Sequence, residues 1–104
     1  MIKVYTLNKS IQIVEDQGYD VPTKRTLSYW IKRGVLSSYE YKEHLGQQGL
    51  NVLYPDILPV EIIAAIELKD SLTLDEIARA RAGEGIAVDA YNDKLEEIKQ
   101  MINK

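Results

Sequence analysis

The chain of 104 residues has the length of one small domain, too short for a binding domain joined to a separate catalytic one. Hydrophobic residues make up 45% and charged residues 28%, which is globular usage, and the lack of cysteine excludes disulfides, thiolate metal ligation and cysteine nucleophiles. No stretch approaches the roughly 20 apolar residues of a membrane span, and Met1-Ile2-Lys3-Val4-Tyr5 carries no signal-peptide core. The expectation is an intracellular, cytoplasmic protein with no membrane partner.

The net charge of −3 conceals an asymmetry: residues 1–46 carry +2 and residues 47–104 carry −5. Within 21–44 the excess is +3, from Lys24, Arg25, Lys32, Arg33 and Lys42 against Glu40 and Glu43. A basic stretch within an acidic protein can bind a polyanion locally. Solvated surface charge alone would give the same pattern.

Thr6 reads as the N-cap of a first helix running to about Gln17, with Leu7, Ile11 and Val14 on one side and Gly18 ending it. Gly18-Tyr19-Asp20-Val21-Pro22 reads as a connecting turn. Thr23 caps a second helix that stops at Gly34. Leu27, Trp30 and Ile31 form its core stripe. Lys24, Ser28 and Lys32, spaced by four and flanked by Arg25 and Tyr29, stack on the other face.

From Val35 to Tyr54 the period changes to two, which predicts a two-stranded β-hairpin with a polar tip at Gly46-Gln47-Gln48-Gly49. Pro55-Asp56 is expected to close it and to cap a third helix over about 57–70, with Pro59 in its first turn and Ile62, Ile63 and Ile66 as core. Thr73-Leu74-Asp75-Glu76 has capping-box spacing and opens a fourth helix to about Arg81. Gly83 and Gly85 break the chain before a last helix, about 87–103. There Val88, Tyr91, Leu95, Ile98 and Ile102 alternate in steps of three and four, an a/d seam of about two heptads.

Particular residues carry a resemblance. Thr26-Leu27-Ser28-Tyr29-Trp30 followed by Gly34-Val35-Leu36 resembles the recognition-helix signature of MerR-type transcriptional regulators. Tyr5-Thr6-Leu7 resembles the start of their first helix, Tyr54 the end of their wing strand, and Leu72-Thr73-Leu74-Asp75-Glu76-Ile77 their helix-four opening. The resemblance covers about 5–82, and the tail is placed like their dimerisation helix. It implies a mainly α winged helix-turn-helix fold, with a DNA-binding domain over 1–82 and a C-terminal dimerisation helix over 86–104. It also implies sequence-specific duplex DNA binding as a homodimer, with regulation by operator bending or untwisting, and RNA polymerase as a further partner. Ser28 stands where the family usually has arginine, Val52 stands at the wing arginine, and the stretch from Ile11 to Thr26 is longer than usual.

The expected DNA-binding residues are therefore Lys24, Arg25, Ser28, Tyr29, Lys32, Lys42 and His44. Lys24 and Arg25 lie in the first turn of the second helix, where side chains reach groove edges and backbone N–H groups face phosphate. Tyr29 could give its hydroxyl to a phosphate or pack as a rim tyrosine, and Trp30 reads as core. Tyr39 and Tyr41 read as sheet-packing residues. Lys42 and His44 lead toward the hairpin tip, where a solvated wing is the plainer alternative for His44. The seam Val88, Tyr91, Leu95, Ile98 and Ile102 is the expected dimer contact.

An enzyme, a metal site and a cofactor are not expected. His44 is the single histidine. Gly46–Gly49 lacks the Lys-Ser/Thr of a phosphate loop, Asp75 and Glu76 are accounted for by capping, and no ligand cluster stands out. Two alternatives remain on the same fold: an excisionase-like architectural DNA-binding factor of a mobile element, and a protein-interaction module, which Ser28 and Val52 support.

Overall fold

The computed structural model describes residues 3–44 and 50–103, and within these the side chains outside 41, 43, 44 and 50. The hairpin tip Gly46–Gly49 and the side chains of Tyr41 and His44 lie outside the described residues. The element order is β1 (Val4–Tyr5), α1 (Leu7–Asp16), α2 (Lys24–Arg33), β2 (Tyr41–His44), β3 (Leu50–Pro55), α3 (Leu58–Leu68), α4 (Leu74–Arg81) and α5 (Val88–Ile102). The protein is mainly helical, with one small antiparallel sheet.

Local chemistry sets most helix ends where the sequence places them. Thr6 Oγ1 accepts the N–H of Lys9 at 3.1 Å, and Thr23 Oγ1 accepts that of Thr26 at 3.2 Å. At α4 the capping box is complete, with Thr73 Oγ1 accepting from Glu76 N–H at 3.1 Å and Glu76 Oε1 from Thr73 N–H at 2.9 Å. Asp56, by contrast, does not cap α3. That helix starts after Ile57 without a side-chain cap, and Pro59 removes one of the donors a cap would satisfy. The Asp56 N–H instead donates to Lys3 carbonyl oxygen at 3.2 Å.

That bond belongs to a third strand, beyond the two of the expected hairpin. β1 pairs antiparallel with β3, Tyr5 opposite Tyr54, so the sheet has three strands in the order β1-β3-β2. On the other edge of β3 the hairpin register sets Tyr41 opposite Leu53 and Lys42 opposite Val52. Two residues are too few to show alternation, which is why β1 left no signal.

The core gathers around α3. Leu58, Ile62, Ile63, Ala64 and Ala65 are fully or almost fully buried, with Val14 of α1, Leu27 and Trp30 of α2, Val35 and Leu36 of the segment after it, and Ile77 of α4. A helix apolar on nearly every side needs cover from several directions, and α5 supplies one. Tyr91 and Ile98 are 2% and 1% exposed, and Leu95 and Ile102 pack partly buried against the same cluster. Lys94 of α5 reaches Glu67 of α3 at 3.9 Å.

Tyr91, Leu95, Ile98 and Ile102 of the α5 seam therefore pack into the core that the preceding helices build. Packing within one chain avoids the translational and rotational loss that a second molecule would carry. Gly83 and Gly85 do break the helix, but their left-handed backbone turns the chain back onto the body.

Candidate nucleic-acid interface

Helix α2 separates two surfaces. Leu27 and Trp30 are buried and Ile31 is half-buried, whereas Lys24, Arg25, Ser28, Tyr29, Lys32 and Arg33 are all exposed. Gly34 ends the helix in the left-handed region at φ +85°. Its N–H donates to Ile31 at 3.1 Å and the N–H of Val35 to Trp30 at 2.9 Å, a Schellman pair that satisfies the last carbonyls.

The cations of this face, like Lys3, Lys9 and Lys69 elsewhere, stand in no ion pair among the described residues. Among the described residues, every ion pair takes its cation from α4 or α5: Arg79 with Asp75, Arg81 with Glu61, Lys94 with Glu67 and Glu97, and Lys99 with Glu96. Lys24, Arg25, Lys32 and Arg33 of α2 and Lys42 of β2 stand in none. Helix α4 carries Asp75 and Glu76 in its first turn and Arg79 and Arg81 in its last, matching the helix dipole. Helix α2 has no acid in its first turn; Lys24 and Arg25 sit at the positive end. That placement works against the helix by about 0.3–1 kcal/mol per cation at low ionic strength.

Two exposed tyrosines hold cations, Tyr29 on α2 and Tyr39 in the segment before β2. Arg33 donates from Nη1 to the Tyr29 hydroxyl at 2.9 Å, with its guanidinium 5.7 Å from the ring centre. Lys42 Nζ lies 4.8 Å over the ring of Tyr39. Tyr39 is exposed, so it is not the sheet-packing residue expected from the alternation.

Behind α2 is a buried polar cluster that the expected site residues do not include. Glu61 of α3 is 4% exposed. One of its oxygens accepts the Ser37 N–H at 2.9 Å and the other the Arg81 Nε–H at 2.6 Å. Arg81 also donates to Ser37 Oγ at 2.7 Å and to the Gly34 carbonyl at 3.4 Å. The chain leaving α2 is thus tied to both α3 and α4. A single glutamate inside the apolar run Leu58–Ile66 was the available signal, because a carboxylate there must find a buried donor.

Tyr91 completes this cluster from α5. Its hydroxyl is buried without a hydrogen-bond partner among the described residues. Burial pushes its pKa upward, the Glu61 carboxylate adds to the rise, and Arg81 acts in the opposite sense.

No family model, curated protein or solved structure matches the chain. Among the described residues no three His, Asp or Glu side chains gather as a metal site would require, and no helix is long and apolar enough to cross a membrane. A cleft of about 230 Å³ lies away from α2, between Lys3 and Tyr5 of the N-terminal segment and Lys99 and Ile102 of α5. The sequence-derived residues on α2 lie on one exposed face with Arg33, a neighbour the sequence analysis left out of the set.

Proposed function

We propose that this protein binds duplex DNA through a winged helix-turn-helix arrangement, with α2 entering the major groove and the β2–β3 hairpin gripping the flanking backbone. The observation that carries this reading is the set of α2 cations that stand in no ion pair among the described residues, two of them set against the helix dipole. Stability does not account for Lys24 and Arg25 in the first turn, whereas a phosphate or base edge does. The reading agrees with the resemblance of residues 5–82 to MerR-type regulators, and it makes transcriptional regulation the expected role. Burial of the α5 seam favours one unit per site, and with it the second reading: an architectural factor that occupies adjacent direct sites.

The test is titration of random-sequence duplex over a series of salt concentrations. Each of Lys24→Ala and Arg25→Ala should reduce the salt slope by about 0.9 per unit bound, or about 1.8 if two units act together. Replacing both with glutamate should raise the melting temperature while abolishing binding. Absence of binding by the unmodified protein at low salt would overturn the proposal in favour of a protein-interaction module.

A further inference from the structure

We infer that Arg33 is a phosphate-contacting residue of this interface and that Tyr29 is its positioning residue; the inference rests on the DNA-binding reading above. Arg33 and Tyr29 are one helical turn apart on the exposed face of α2. The Tyr29 hydroxyl accepts one Arg33 N–H at 2.9 Å, and the guanidinium lies 5.7 Å from the ring. A guanidinium has five N–H donors, so this bond leaves four to face outward. Arg33 has no carboxylate partner among the described residues, although carboxylates hold both arginines of α4.

The hydroxyl accepts from Arg33, so its own proton is free for a second acceptor. Tyr29 is 48% exposed, so that acceptor is solvent. The guanidinium held by Tyr29 thus presents several donors and one positive charge together. A phosphodiester group offers a matching pair of anionic oxygens with a single charge. The tyrosine also restricts a long, flexible side chain before any ligand arrives, which lessens the ordering needed on binding. Lys32 and Arg25 flank the pair on the same exposed face and extend the positive surface.

The experiment measures duplex affinity against salt for Arg33→Ala, Tyr29→Phe and the double variant, with Lys24→Ala as reference and far-UV circular dichroism confirming the helix content of each. Arg33→Ala should lower the salt slope by about 0.9. Tyr29→Phe keeps every charge; it should leave the slope unchanged and weaken binding about fivefold, the loss of one hydrogen bond. Because Tyr29 acts through Arg33, the double variant should bind like Arg33→Ala alone. Arg33→Gln replaces Arg33→Ala if the latter reduces helix content. Normal binding by the Arg33 variants, with Lys24→Ala impaired, overturns this inference and leaves the DNA reading standing. Multiplying losses in the double variant overturn the positioning role, since Tyr29 would then act on DNA by itself. No duplex binding by the unmodified protein overturns both.

Discussion

The Nε–H of Arg81 on α4 lies 2.6 Å from a carboxylate oxygen of Glu61 on α3, in a pocket where Glu61 is almost wholly shielded from water. The same two side chains hold Ser37 and the Gly34 carbonyl, so the exit of α2 is fastened from behind. Burial of Leu27 and Trp30 turns the cationic face outward, and the Glu61–Arg81 pair fixes the segment that follows it.

Removing one member of that pair should therefore be costly. Glu61→Ala leaves the Arg81 guanidinium without its carboxylate and the Ser37 N–H without its acceptor, and should destabilise the fold by about 3 kcal/mol. Arg81 is partly solvated, which sets the expectation at the low end for a buried pair. Replacing Glu61 with Leu and Arg81 with Met together should recover part of the loss, leaving about 1–2 kcal/mol for the Ser37 N–H, Ser37 Oγ and Gly34 carbonyl that lose their partners. Urea unfolding of the two variants measures both quantities. A single variant as stable as the unmodified protein would mean that the pair does not fasten α2.

Tyr91→Phe should act in the opposite direction. It removes a buried hydroxyl that has no partner among the described residues, so a gain of about 1 kcal/mol is expected near neutral pH. The pH dependence follows from the raised pKa, for which burial is the leading cause. The folded state favours the neutral phenol, so this contribution is complete below the unfolded value of about 10 and is lost as pH rises above it. Tyr19 and Tyr54 are raised as well, chiefly by burial, and add to the alkaline loss. Stability followed upward from neutral pH should fall less steeply in Tyr91→Phe than in the unmodified protein. A steeper fall would contradict this assignment.

Ile98→Asp tests where the α5 seam goes. Ile98 is buried against the core of its own chain, and a carboxylate there should unfold the protein, since a buried charge costs several kcal/mol of a total near 5–15 kcal/mol. Sedimentation combined with circular dichroism distinguishes the outcomes. Loss of helix content is expected; a well-folded monomer derived from a dimeric parent would show that the seam faces a second molecule.

The boundaries of the helices were legible in the sequence because they depend on chemistry within four residues. Thr6, Thr23 and Thr73 accept backbone N–H groups three positions on, and Gly34 adopts the left-handed backbone that ends α2. The two-faced pattern of α2 was legible for the same reason: periodicity places Leu27 and Trp30 opposite Lys24, Ser28 and Lys32. What covers each apolar face was not legible. The steps of three and four in Val88–Ile102 describe a stripe that must be buried, and the same stripe serves a partner or the chain's own core. Only the tertiary structure decided for α3 and α4, where an intramolecular contact avoids the entropy of association. Glu61 and Arg81 meet across 20 positions and β1 meets β3 across about half the chain. Such contacts depend on how the helices cross, so no local spacing could reveal them.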